Sequence, residues 1–415
     1  MMKRITGILC AAAAAVSLFS CTGAKEEPAG FVRTDGTIFV NPDGSEFRIK
    51  GTNLGNWLNP EGYMFRFPGH VNSQHFINEA LCQLVGPGYV EDFWKQFVER
   101  YVTESDIRFI AATGATTVRL PFHYRIFSGD GYLGMRDPED GFRIIDNLVS
   151  WCRGAGLKII LDMHCCPGGQ TGDNIDDSYG YPWLFTEASH QDEFVAIWEK
   201  IAARYADEPV ILGYDFMNEP ISSRIKDKDM LNTRLQPLMI RVAQAVRKID
   251  PNHIFFIGGA QWNGNFKVFD NYTFDSNMAF TCHTYQCRPE VKSLLRFTSV
   301  RDESGIPMYM GETGENTDEW VRGMRMALDS VNIGWTFWPY KKLGSSSSFV
   351  KIGTPEGWDT VCAFLAADRS SYARISEARP DQAECRRILS SYLDSLSLEK
   401  CETNDGYIKA LGLEL

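Results

Sequence analysis

Ile211-Leu212-Gly213-Tyr214-Asp215-Phe216-Met217-Asn218-Glu219-Pro220 is a short apolar run that ends in a carboxylate and a proline. It is rich in aromatic and β-forming residues and too short for a stable helix, so it reads as a buried strand. Pro307-Met308-Tyr309-Met310-Gly311-Glu312 repeats the pattern far downstream. A glutamate at the end of a buried strand has left the core. Most such residues are solvated or ion-paired. Two of them on strands of one sheet can instead converge on a single bond.

Six further runs complete a series, giving strand candidates at 49–54, 116–122, 158–164, 211–218, 254–258, 278–283, 307–312 and 334–338. Stretches with helical periodicity lie between and after them, at 90–112, 144–153, 191–205, 231–249, 319–331 and 381–396. Gly114, Gly156 and Gly305 fall where helices should end before the next strand. Eight βα units in series, with no linker or composition break, predict an α/β fold: a single (β/α)8 TIM barrel. Two short strands around Pro42-Asp43-Gly44, within 38–49, predict an N-terminal β-hairpin that closes the bottom of the barrel. The long segments 56–89, 165–190 and 340–380 all follow strands. They are expected as loops walling the carboxyl-terminal face, where a barrel carries its site.

The chain has 415 residues and a net charge of −11, with 13% aromatic residues. An acidic surface disfavours nucleic acid as a partner, because phosphate neutralisation needs Lys and Arg. It suits a neutral substrate, and aromatic faces suit the apolar C–H faces of sugars. Lys3 and Arg4 precede an apolar stretch, 8–19, that is too short to span a bilayer. It runs into Leu18-Phe19-Ser20-Cys21, which resembles a bacterial lipoprotein signal with Cys21 as the lipidated residue. Residues 1–20 are therefore expected as a signal peptide, 21–30 as a flexible tether and 31–415 as the catalytic domain. The expected location is that of an exported, outer-membrane-anchored lipoprotein, touching membrane only through its lipid, as a monomer. Apart from Cys10 and Cys21 an odd number of cysteines remains, none in C-x-x-C spacing, which argues against a structural zinc site. The vicinal Cys165-Cys166 pair is expected as buried thiols.

Reading the strand ends in order gives Arg119, then Asp162-Met163-His164, Asn218-Glu219, His283-Thr284-Tyr285, Glu312, and Trp335 with Trp338. Arg119 and Tyr285 could hold Glu312 by charge and hydrogen bond. Asn218 could donate to a sugar hydroxyl, His164 and His283 could line the cleft, and Trp338 could stack beneath a ring.

These residues carry a resemblance. The chain resembles the family 5 glycoside hydrolases, retaining (β/α)8 enzymes with acid/base and nucleophile at the ends of strands four and seven. Asn218-Glu219-Pro220 is the most specific match, and Arg119, His164, His283-Thr284-Tyr285, Glu312 and Trp338 match in order. The resemblance implies Glu219 as general acid/base, Glu312 as nucleophile, a carboxyl separation of about 5–5.5 Å, and retention by double displacement. No cofactor and no metal are expected. Gly51-Thr52-Asn53-Leu54-Gly55-Asn56-Trp57-Leu58 and Leu161-Asp162-Met163-His164-Cys165-Cys166-Pro167-Gly168-Gly169-Gln170 are similar to exo-acting β-1,3-glucanases of the family, in which the second loop helps close the cleft into a pocket. The chain departs from them at Glu312-Thr313-Gly314-Glu315 and Trp338-Pro339-Tyr340-Lys341-Lys342, which leaves linkage and exo action open; Glu315 is a rival nucleophile. Trp262, Trp183 and Trp358 are candidate sugar platforms, and Trp57 is a candidate substrate-binding or supporting residue.

Endo-β-1,4-glucanase or β-mannanase-like action stays open beside the β-1,3-glucanase reading, as does a surface lipoprotein that binds glycans without cutting them. A metal-dependent amidohydrolase barrel would need a His-x-His set on strand one, where this chain has Asn53. Asp173-Asn174-Ile175-Asp176-Asp177 lacks an EF-hand pattern and reads as a solvated loop rather than a calcium site.

Overall fold

The computed structural model describes residues 30–272 and 274–415. The expected signal peptide, Cys21 and the expected tether up to residue 29 lie outside the described residues. Eight parallel strands close a barrel: β1 (Lys50–Asn53), β2 (Thr117–His123), β3 (Lys158–Cys165), β4 (Ile211–Asp215), β5 (Ile254–Gly258), β6 (Met278–His283), β7 (Met308–Glu312) and β8 (Gly334–Phe337). The ring closes where β8 pairs with β1, Trp335 opposite Lys50 and Thr336 opposite Gly51. The expected (β/α)8 barrel is present. Seven strands lie within a residue of their expected ends. β4 stops at Asp215 rather than 218, so the Asn218-Glu219-Pro220 turn stands above the sheet instead of inside it.

The expected hairpin also forms, with Phe39 opposite Phe47 and Val40 opposite Glu46. A third strand that sequence patterning did not reveal, Arg33–Asp35, pairs with Ile38–Val40. Val32 and Phe39 pack with Ile160, Leu212, Ile254 and Phe256 in one apolar cluster. The barrel's amino-terminal end is thus plugged.

The stretch expected as one helix over 90–112 is two: Pro87–Tyr101 and Glu104–Ala112. Its hydrophobic periodicity runs through the break, but Thr103 starts a new helix by a capping box. The Thr103 backbone N–H and hydroxyl both donate to Asp106 Oδ2, at 2.8 and 2.7 Å. Asp106 also takes the Tyr340 hydroxyl and the Lys341 ammonium, each at 2.7 Å, deep in the fold.

Two of the three long segments are not bare loops. Segment 56–89 holds the helix Gln74–Val85. Segment 340–380 supplies the strands Lys341–Leu343 and Val350–Ile352, joined by Glu402–Thr403, and two helices, Trp358–Ala366 and Tyr372–Ala378. Buried Phe349, Val361, Phe364 and Leu365 hold this outer layer on the barrel. All described cysteines are free thiols, and Cys165 and Cys166 are buried as expected. No described helix is long and apolar enough to cross a membrane.

Candidate active site

Arg119 on β2 is the centre of the barrel mouth. Its side chain is fully buried, and each of its three nitrogens donates a hydrogen bond. Nε donates to Asp215 Oδ2 at 3.0 Å, and Nη2 forms ion pairs at 2.9 Å with that oxygen and at 3.0 Å with Asp162 Oδ2. Nη1 donates to Asn53 Oδ1 at 3.0 Å and to Glu312 Oε1 at 2.7 Å, and Nη2 donates to Asn218 Oδ1 at 2.9 Å. The sequence pattern did not assign Asp215 a role. Its signal was nonetheless there: an acid inside an apolar strand must have a buried partner. β3 and β4 place Asp162 and Asp215 opposite one another, and strand alternation turns both inward. Burial raises the proton affinity of both acids against the pull of Arg119. Asn53 completes the ring by donating to Gly311 O and Thr336 O, at 3.0 and 3.1 Å, which ties β1 to β7 and β8.

Glu312 ends β7 with one oxygen on Arg119 and the other accepting from Tyr285 Oη at 3.0 Å. A guanidinium and a phenol are donors suited to the ionised form. Glu315, the rival, is placed differently: its backbone is left-handed at φ 52° and its carboxylate bonds Lys342 Nζ.

Glu219 stands across the cavity from Glu312. It has φ 47°, and Ile221 φ 56°, a conformation that costs a non-glycine residue energy and is held only by surrounding bonds. Those bonds come from the loop after β3. Thr171 Oγ1 donates to Glu219 O at 2.7 Å, and Gln170 O accepts from Ile221 N at 2.8 Å. Gln170 itself is fully buried, donating through Nε2 to His164 O and Asn218 O at 2.8 Å each. It braces two strand ends, and residues such as Asn174 and Ile175 further along the same loop form the cavity wall.

One oxygen of Glu219, one of Glu312 and Nδ1 of His283 lie within 4.8 Å of one another. His283 Nδ1 is 2.8 Å from Glu219 Oε1 and 3.7 Å from Glu312 Oε2. Asn263 Nδ2 faces His283 Nε2 at 3.3 Å, which puts the ring proton on Nδ1, donating to Glu219. Burial pushes His283 down to about 3 and His164 down to about 4, so both are neutral imidazoles. Burial pushes the Glu219 carboxyl up to about 7, and Asp173 adds to the rise while His164 and Arg119 oppose it. A carboxyl that holds its proton near neutrality faces a carboxylate bound by a guanidinium.

The cavity between them measures about 720 Å³, within the range of small-ligand sites. Trp338 lines it, with Nε1 donating to Tyr63 Oη at 2.7 Å and its ring stacked near His164 at 5.6 Å and 15°. The residue behind it must be glycine: a Cβ on Gly55 would fall 2.6–2.9 Å from the indole. Trp262 also lines the cavity, under the Arg224 guanidinium at 5.5 Å.

The structure therefore brings Glu219, Glu312, His164, His283, Tyr285, Trp338 and Trp262 to one cavity, and places Arg119 directly behind Glu312. Asn218 is fully buried, accepting from Arg119, with its amide 3.2 Å from His164 Nε2, which is the supporting side of its expected role. Trp57 is a correction. It is a core residue whose Nε1 donates to Val98 O at 2.8 Å. Trp358 likewise donates to Phe65 O at 3.0 Å and stacks on Phe67. Trp183 is half-exposed beside Tyr181 and outside the cavity lining. Glu61 and Tyr63, which do line it, come from a loop without periodic signal.

Two trios could in principle hold a cation: Asp162, His164 and Glu312, and Glu219, His283 and Glu312. Both depend on Glu312, where the Arg119 charge at 2.7 Å already occupies one oxygen and opposes a second cation. The acids of 173–177 are taken as well. Asp173 pairs with Arg224 at 2.8 Å, Asp176 accepts from Thr171 N and Gly172 N at 2.7 Å, and Asp177 lies between His75 and His123.

Barrel and paired carboxylates together define a glycoside hydrolase with its acids at the ends of β4 and β7. The family described as cellulase (glycosyl hydrolase family 5) matches residues 80–344, and the chain belongs to it. It is 31% identical over 350 residues to a "Beta-xylosidase" of Phanerodontia chrysosporium, covering 76% of this chain and 71% of that one. It is 34% identical over 171 residues to "Endoglucanase C" of Acetivibrio thermocellus, covering 41% of this chain and 46% of that one. It is 26% identical over 292 residues to a "Probable glucan 1,3-beta-glucosidase A" of Neosartorya fischeri, covering 65% of this chain and 66% of that one. The chain thus spans less than half of the endoglucanase and about two thirds of the glucosidase.

Proposed function

We propose that the chain hydrolyses β-glucan or a related oligosaccharide by double displacement, with exo-β-1,3-glucanase-like action. The observation that carries the mechanism is the placement of Glu219 and Glu312 on one cavity with oxygens within 4.8 Å, the close spacing of retaining rather than inverting enzymes. Glu219 gives its proton to the glycosidic oxygen as Glu312 Oε2 attacks the anomeric carbon, forming a glycosyl ester and releasing the aglycone. Glu219, now a carboxylate, takes a proton from water as that water displaces Glu312, and both residues return to their starting forms. His283 keeps Glu219 oriented, and Arg119 with Tyr285 fixes Glu312. Trp338 is placed to lie beneath the sugar that Glu312 attacks. The exo reading draws support from the motifs at 51–58 and 161–170. A second reading, endo cleavage, is favoured by the stretch shared with endoglucanase C. The Leu18-Phe19-Ser20-Cys21 signal supports an exported, lipid-anchored, outer-membrane location, and the molecule is taken as a monomer.

Product analysis on β-1,3-glucan tests this: single sugars alone are expected, and an oligosaccharide ladder would replace exo with endo action. The pH profile tests the acid. Only protonated Glu219 can start the reaction, so kcat/KM should fall as pH rises through about 7. A Glu219→Gln chain should lack that limb. An alkaline limb that persists unchanged in the variant would mean that another group supplies the proton.

A further inference from the structure

Arg296 lines the cavity and the double-displacement mechanism does not use it. It stands on the helix Val291–Ser304 that follows β6, with its side chain exposed. Its Nη2 donates to Thr284 Oγ1 at 3.2 Å, and its guanidinium lies over the buried Phe297 ring at 4.4 Å. No carboxylate lies within ion-pair distance of it among the described residues. Arg224, the other arginine on the cavity lining, is held by Asp173 at 2.8 Å. A chain with a net charge of −11 has acids enough to answer an arginine that only had to be neutralised. A guanidinium with one neutral acceptor keeps most of its planar fork of donors for a ligand, and packing on an aromatic ring orients that fork.

The place of Arg296 decides which ligand. Glu219 and Glu312 follow β4 and β7, and so divide the ring of strands into two arcs. On the arc through β8 and β1, Trp338 is placed beneath the sugar that Glu312 attacks, and its charged neighbours on the lining are the acids Glu61 and Glu315. On the arc of β5 and β6 the lining is different: Trp262 follows β5, Gln286 and Arg296 follow β6, and Arg224 reaches in from the turn after β4. Apart from the two catalytic glutamates at its ends, every charged lining group on this arc is an arginine. Glu219 stands at its edge, so the leaving group that Glu219 protonates departs over a basic surface.

On the glycosidase reading of the same cavity, on which this rests, we propose that Arg296 selects a leaving group that carries a carboxylate. Two N–H groups of a guanidinium meet the two oxygens of a carboxylate in one plane, a match that a neutral hydroxyl does not offer. In a carbohydrate that group is a uronic acid, so the substrate class is an oligosaccharide in which a neutral β-linked sugar precedes an acidic one. Arg224 adds to the basic field but contributes less, because Asp173 already answers its charge.

Three matched substrates test it: a β-1,3-linked glucose disaccharide, the same compound with a uronic acid as the leaving sugar, and the methyl ester of that uronic acid. kcat/KM is measured on each with the wild type and with Arg296→Ala, Arg296→Gln and Arg224→Ala. The wild type should prefer the acid to its ester by about three- to tenfold, since solvent holds an exposed guanidinium below the full strength of a charge-assisted pair. The preference should shrink in about 1 M salt, where screening acts within about 3 Å. In Arg296→Ala and Arg296→Gln the ratio of acid to ester should fall to about one. A defect in folding lowers both rates together and leaves that ratio where it was, so the ratio reads recognition alone. Equal ratios in the wild type and the Arg296 variants, or a preference lost only in Arg224→Ala, would overturn the role of Arg296, and cleavage of the neutral disaccharide would leave the glycosidase reading standing. A wild type that cleaves none of the three would overturn both.

Discussion

A Glu312→Gln chain is expected to fold as the wild type and to lose about 10⁴-fold or more in kcat, because the amide cannot form the glycosyl ester. Arg119 and Tyr285 can still hold an amide oxygen, so the unfolding midpoint should change little compared with the activity. Glu219→Gln differs in a way that separates the roles. It removes proton donation, worth about 10²–10⁴-fold, and the loss should shrink for aryl glycosides whose leaving groups need no protonation. A 2-fluoro glycoside with a good leaving group should leave an adduct on Glu312 in the wild type, read by mass after digestion. Full activity in Glu312→Gln, or an adduct on Glu315, would end the assignment.

Arg119→Leu is expected to be the most destabilising single change near the site. It removes every partner of the guanidinium at once and leaves Asp162 and Asp215 with no charge to answer, beside Glu312. Breaking a buried ion pair by deleting one partner costs about 3–5 kcal/mol, because the other charge stays buried. Two further observations place this site toward the upper end. Asp162 Oδ1 and Asp215 Oδ1 already lack a hydrogen-bond partner, so the pair has no reserve of donors. Asn53 and Asn218, which position β1 and the Glu219 turn, would each lose an acceptor contact. Arg119→Lys should not rescue, since a single ammonium cannot present five donors in a planar fork. Denaturant unfolding of folded, purified variants measures the loss. A change below about 1 kcal/mol would mean that Asp162 and Asp215 satisfy one another without the arginine.

Glu312 illustrates what was legible from sequence. It directly follows a four-residue apolar run, so strand ending and cavity-facing carboxylate came from one local pattern. Glu219 needed more. Its triplet marked it, but its orientation depends on left-handed backbone at Glu219 and Ile221, which the loop at 170–171 holds from outside the strand. Trp57 and Trp338 show the limit most clearly. Both are tryptophans near strand ends, yet one donates into the core at Val98 and the other into the cavity at Tyr63. Composition treats them alike, because an indole serves packing and sugar binding through the same apolar face.

The barrel, its plugged bottom and the two catalytic candidates follow from periodicity, because hydrophobic patterning and strand ends are local properties of the chain. The ring of partners around Arg119 and the raised proton affinity of Glu219 do not. Each depends on which residues from distant strands and loops meet out of water, and burial and the sum of neighbouring charges are properties only the folded chain has.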